Sequence, residues 1–277
     1  MPLFLALLSS VTWGTSDFLA GNISRRLPPI AVLGGSQVFG GILAVGFALQ
    51  TGHWRWDNPS TLGWGAFAGV LGLVGLVAFY SALASGLMGI VSPISSIGVI
   101  IPLAIGLING DQPSGVQYVG ILVAFTGVVL ASGPELNSKA SARPVFLALV
   151  AALSFGICVF CMAKGGQAGN PAMTIAAMRI TQVTCLAFVL LVARSFGGMR
   201  RSDLPMLAAI GFTDAAANIL FAFAAATGLL SIVSILGSLF PVATVILAWR
   251  VLKERLLSIQ YVGIVCTLLG VVAITAG

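Results

Sequence analysis

Charge is what this sequence has least of. Only 7% of its 277 residues are Asp, Glu, Lys or Arg, against roughly 25% in a water-soluble domain. With 58% hydrophobic residues and a mean hydropathy of +1.10, it cannot cover its own surface with polar groups. Lipid must be its main solvent. Histidine is nearly absent: His53 is the single copy. No H-E-x-x-H or P-loop pattern occurs, which removes the commonest metalloprotease and nucleotide-hydrolase chemistries. The residue alternation of a membrane barrel is missing too. Cys158, Cys161, Cys185 and Cys266 all fall inside apolar runs. Cys158-x-x-Cys161 has redox or metal spacing, yet zinc needs further ligands and His53 lies in a distant loop. Packing at helix contacts is the reading these cysteines support, and neither a cofactor nor a metal is expected. The first apolar run has no basic start and is too long for a signal h-region, so a cleavable signal peptide is not expected.

What is abundant is the long apolar run. A helix needs about 20 such residues to span a bilayer, and ten segments qualify: 2–22, 29–50, 61–84, 90–109, 116–133, 144–164, 172–194, 204–226, 231–250 and 257–276. Short connections rich in turn formers join them, such as "LPP" and "DNPS", and no loop is long enough for a soluble domain. The net charge of +6 is distributed in a way that argues against a nucleic-acid partner. One set of loops holds Arg25, Arg26, Lys139, Arg143, Arg194, Arg200, Arg201, Arg250, Lys253 and Arg255, while the other holds only Arg55 and Lys164. By the positive-inside rule both termini face away from the cytoplasm in a cell inner (plasma) membrane, multi-pass. Trp54, Trp56 and Trp64 flank the outer ends of the second and third segments as interfacial anchors.

The second half repeats the first. "PLFLALLSSVTWG" (2–14) aligns with "PVFLALVAALSFG" (144–156), "ALASGLMGIVS" (82–92) with "AAATGLLSIVS" (224–234), and "QYVGILVAFTGVV" (117–129) with "QYVGIVCTLLGVV" (260–272), all at an offset of 142 or 143. The division expected is a first repeat over 1–133, a polar linker over 134–143 and a second repeat over 144–277. Five spans per repeat is an odd number, so the two copies enter the membrane in opposite directions. The expected fold is all-α and integral to the membrane, with ten transmembrane helices as two inverted five-helix repeats. Such halves can exchange conformations about a site between them.

At these residues the chain resembles the drug/metabolite transporter superfamily, in its ten-helix, EamA-type branch. The resemblance rests on Trp13-Gly14, on the A-x-x-x-G at Ala82–Gly86 and Ala224–Gly228, and on "LFPVATVILAWRVLKERLLSIQYVGIVCTLLGVV" (239–272). In the first repeat the distance from Pro102 to Gln117 is four residues shorter than from Pro241 to Gln260, and Asp111 stands where Glu254 does. The resemblance implies secondary transport of small organic solutes, often amino acids and often outward, through a central cavity lined by both halves. Many relatives are drawn with both termini in the cytoplasm; the charge distribution here points the other way.

Polar groups inside the apolar spans are the candidate site, because a charge near the bilayer centre costs at least ~2.5–3.5 kcal/mol. Asp17 aligns with Val159 and Asp214 with Gly72, so the fold itself requires neither acid. Asp17 is suited to carrying a proton, or else pairs with Arg25 or Arg26. Asp214 and Asn218, four residues apart, share a helix face and can bind an amine, with Asp214 also able to carry a proton. Arg179 aligns with Gln37 and can hold a carboxylate bidentately; an Arg179–Asp214 ion pair is the rival reading. Trp13 and Tyr80 can wall a cavity or equally pack in the core or against lipid, and Ser95, Ser96 and Ser238 lie beside the proline interruptions, where they can face the cavity. Pro93 interrupts the fourth segment, and Gly98-x-x-x-Pro102 and Gly237-x-x-x-Pro241 are symmetric hinge candidates. Gly65, Gly69 and Gly72 form one small-residue side of the third segment, and Lys164 snorkels at the end of the sixth.

These features favour a non-enzymatic secondary transporter that exports amino acids or similar zwitterions by alternating access, coupled to protons or exchange. Its partners are the lipid bilayer, a small-molecule substrate and protons as coupling ion, and a monomer suffices. The alternative is an exporter of organic cations or drugs. An intramembrane enzyme or a channel is more remote, since no protease motif and no filter-like stretch is present.

Overall fold

A computed structural model describes residues 1–51, 58–85, 88–131, 142–193, 198–251 and 257–277. His53, Trp54, Trp56, the turn holding Glu254 and most of the expected linker lie outside the described residues. Among those described there is helix and no strand. The helices are α1 (Pro2–Ile23), α2 (Pro29–Gln50), α3 (Pro59–Ser85), α4 (Met88–Ser96), α5 (Ile100–Ile108), α6 (Gly115–Ala131), α7 (Ala142–Ala168), α8 (Pro171–Ala193), α9 (Leu204–Thr227), α10 (Leu230–Gly237), α11 (Phe240–Val251) and α12 (Ser258–Ala276).

Eight stretches are long and apolar enough to cross a membrane, and Ile94–Ile108 and Gly115–Ala131 are shorter apolar helices. Together they account for the ten expected spans. Large apolar side chains such as Phe4, Ile42, Phe146, Phe188 and Leu268 stand exposed on the outside, as a lipid-facing surface requires.

Two of the ten spans are broken, each at the same place in its half. The fourth runs as α4, a 3-10 turn over Ile97–Val99, and α5; the ninth runs as α10, a turn at Ser238 and Leu239, and α11. Proline does not kink a continuous helix here. Pro102 and Pro241 sit in the first turns of α5 and α11, where a missing N–H leaves no helical bond unmade. Pro93 likewise leaves α4 intact through Ser96. The breaks are accommodated by glycine across the seam. A Cβ at Gly14 of α1 would lie 2.5 Å from the carbonyl oxygen of Phe240, and one at Gly156 of α7, its counterpart, would clash with the carbonyl of Gly98. Each broken span thus packs against the backbone of the opposite half's leading helix.

The packing has the same symmetry throughout. α3 lies on α7 as α9 lies on α1, α3 on α8 as α9 on α2, and α4 on α7 as α10 on α1. Equivalent helices also pack on each other. Gly120 of α6 faces Gly270 and Ile274 of α12 while Gly127 faces Gly263 and Thr267, and Gly34 of α2 meets Leu190 of α8 while Gly41 meets Val183. Numbers rise along one helix as they fall along its partner, so both pairs are antiparallel. A rotation axis in the membrane plane therefore relates the halves.

Polar contacts among the described residues tie the halves at the ends of the helices, Asn58 Nδ2 donating to the Ala168 carbonyl at 2.9 Å among them. Asp111, after α5, accepts the Ser231 N–H at 2.8 Å in the first turn of α10. Arg26, between α1 and α2, pairs with Asp203 at the start of α9. Trp64 stacks edge-on with Phe160 at 6.0 Å, so its ring belongs partly to the core. α7 continues four residues past Lys164 to Ala168, and the Lys164 ammonium lies 5.8 Å from the centre of the Phe160 ring.

Candidate functional site

The α3 glycines let α8 come close: a Cβ at Gly65 or Gly69 would lie 2.5 or 2.6 Å from the carbonyl oxygens of Thr174 and Met178. That approach carries Arg179, in the middle of α8, into the molecular centre, where it is fully buried. Its Nη1 forms an ion pair with Asp214 Oδ2 at 2.8 Å and donates to Gln182 Oε1 at 3.2 Å and to Gln37 Oε1. Gln37 Nε2 reaches Asp214 Oδ2 at 3.4 Å, and Asn218 Nδ2 donates to Asp214 Oδ1 at 3.1 Å. Every acceptor of the guanidinium is gathered on one nitrogen. Nε and Nη2 are buried with no partner among the described residues.

The network uses the repeat asymmetrically. Arg179 and Gln37 are equivalent positions and meet directly. Two other members, Asp214 and Gln182, have glycines as counterparts, Gly72 and Gly40, while Asn218 corresponds to Leu76. Those glycines make the room. A Cβ at Gly40 would lie 3.6 Å from Arg179 Nη1, and one at Gly72 only 2.8 Å from Gln182 Nε2. One half supplies the charges and the other withdraws its side chains.

Beside this network lies a cavity of about 110 Å³, walled by helices of both halves. Trp13, Asp17, Arg179, Asp214 and Asn218 line it, as do Ser96, Ser238, Gly98, Pro102 and Gly237. The Trp13 ring packs on Phe221 with centroids 5.5 Å apart. Three expected residues are absent from the wall. Gln37 stands behind it, holding Arg179 and Asp214. Tyr80 is buried against Phe79 with ring centroids 6.1 Å apart; an amphipathic ring within a span suits a core as well as a cavity. Pro241 sits next to the wall residue Phe240. The cavity also includes Ser95, named from its place beside the break, and Ser234, both buried with hydroxyls lacking a partner among the described residues, and Gln182, which sequence reasoning passed over.

Asp17 has no hydrogen-bond or ion-pair partner among the described residues. The expected alternative, pairing with Arg25 or Arg26, is not what the fold does: Arg26 is held by Asp203, and no Arg25–Asp17 pair occurs among the described residues. Asp214, expected as an open seat for an amine, is already paired with Arg179, leaving only Oδ1 with spare acceptor capacity. The cysteines are free thiols, and Cys158 Sγ contacts the Ala68 carbonyl at 3.3 Å. No cluster of three metal-ligating side chains occurs among the described residues.

The profile of the EamA-like transporter family matches residues 1–133 and again 142–276. The chain belongs to the EamA-like transporter family. Membership makes it a multi-pass membrane transporter. An uncharacterized transporter of Synechocystis sp. (strain ATCC 27184 / PCC 6803 / Kazusa) is 27% identical over 135 residues, covering 47% of this chain. The matched part spans 40% of that protein's own length. A solved crystal structure aligns over 99% of this chain and 96% of its own with a TM-score of 0.82 at 14% identity, a likeness of fold.

Proposed function

We propose that this family member is a secondary transporter that exports small zwitterions, amino acids or close relatives, by alternating access coupled to protons. The observation that carries the reading is the unpartnered Asp17 carboxylate in a cavity that also holds the Arg179–Asp214 pair. An acid without a partner inside a membrane span is costly, and a proton that comes and goes gives it a use. The amine of a zwitterion fits Asp214 Oδ1 and the Asn218 side-chain oxygen, and its carboxylate fits the Arg179 side of the cavity. The symmetric breaks at Gly98–Pro102 and Gly237–Pro241 are the hinges in this reading, acting between halves bounded at 1–133 and 144–277. The loop charges support termini outside the cytoplasm of an inner (plasma) membrane, and one chain suffices for the cycle.

One observation favours a second reading. Asp214 already neutralises Arg179, so Asp17 is the cavity's single uncompensated charge, and an organic cation fits that charge.

Counterflow in proteoliposomes tests both. Vesicles preloaded with an unlabelled amino acid should take up the labelled one several-fold faster than empty vesicles, with saturation. Uptake indifferent to preloading marks a channel and ends the proposal. Exchange of organic amines without exchange of any amino acid transfers the case to the second reading.

A further inference from the structure

Gln182 is the unexpected member of the network, and its amide is oriented by chemistry alone. A guanidinium only donates, so Gln182 must turn its oxygen to Arg179, as it does at 3.2 Å. Its Nε2 must then point away. That nitrogen lies beside Gly72, where a Cβ would come within 2.8 Å, and both residues line the cavity. Nε2 has no acceptor among the described residues. Arg179 lines the same wall and is fully buried, and the Gln182 amide that it holds presents an N–H polarised by its charge.

We infer that Gln182 is the residue that contacts the substrate's carboxylate, with Arg179 as the positioning residue behind it. This rests on the zwitterion reading and sharpens it, since selectivity for a carboxylate then depends on one N–H donor. The site discriminates an amino acid from the amine that lacks the acid group. A cavity wall rich in Trp13, Leu76, Phe155 and Phe221 suits an aliphatic side chain, so L-leucine and isoamylamine are matched probes.

Gln182→Glu is the informative variant. Glutamate has the same shape and keeps an acceptor toward Arg179, so the network has no new gap to close. It has no N–H and adds a negative charge. Binding to purified protein, read by intrinsic tryptophan fluorescence, should fall about 10–100-fold for leucine, the loss expected for one charge-assisted hydrogen bond. Isoamylamine should bind as well as before or better. Gln182→Met, which cannot donate from that position, should reproduce the leucine loss. Leucine binding unchanged in Gln182→Glu overturns the assignment. So does a wild type in which no amino acid of a matched series binds more tightly than its amine. Counterflow is measured on the same preparations. Selective binding without exchange removes the transport reading and leaves Gln182 as the carboxylate contact.

Discussion

Asp214→Asn is expected to destabilise the protein by about 3–5 kcal/mol, the cost of breaking a buried ion pair from one side. The change leaves the Arg179 guanidinium, fully buried, with amide acceptors and no counter-charge. Arg179→Met should cost less. It leaves an acid that can escape by taking up a proton, whereas arginine cannot give one up. The double variant Arg179→Met/Asp214→Asn, with both charges gone, should be more stable than Asp214→Asn alone. Thermal unfolding in detergent reads all three. Equal effects of the two single variants, or simple additivity in the double, would show that the 2.8 Å contact does not hold the centre together.

Asp17→Asn is expected to behave in the opposite manner. Asp17 has no partner to lose among the described residues and its charge is costly inside the membrane, so the substitution should not lower stability. Function should change greatly. Asparagine imitates the protonated acid and cannot cycle, so accumulation driven by a proton gradient should collapse to the level of passive equilibration, while amino-acid exchange continues. Vesicle uptake with and without an imposed gradient separates the two. A fully driven Asp17→Asn variant ends the proton-carrier role. Two acids facing one cavity thus have separable tasks, one holding the centre and one coupling it.

Much of this was legible in the sequence for definite physical reasons. A span declares itself by apolar length, and the repeat drew attention to Gln37 and Arg179 as equivalent polar positions expected to face one cavity; in the fold they touch, with Gln37 behind the wall. The acids at Asp17 and Asp214 stood out because their counterparts are Val159 and Gly72. What stayed hidden depended on distance in space. That Arg26 belongs to Asp203, 177 residues away, has no local signature. Gln182 was overlooked as one polar residue in an apolar helix. Its signals were a position three residues after Arg179, on the same face, and a glycine counterpart at Gly40. For Tyr80 the sequence left cavity wall and core equally open, because a buried ring gives the same pattern in both. The helix breaks were foreseen at the right residues but attributed to prolines, which the fold places in the first turns of the helices that follow.

The central claim is that solute and proton move through one cavity in a single cycle. Its most direct test is substrate-driven proton flux, recorded with a pH dye trapped inside wild-type proteoliposomes and in Asp17→Asn vesicles beside them. An outward amino-acid gradient imposed at equal pH should drive protons inward in the wild type, acidifying the lumen, and leave the variant's lumen unchanged. Net amino-acid efflux from wild-type vesicles with no movement of protons would contradict the account.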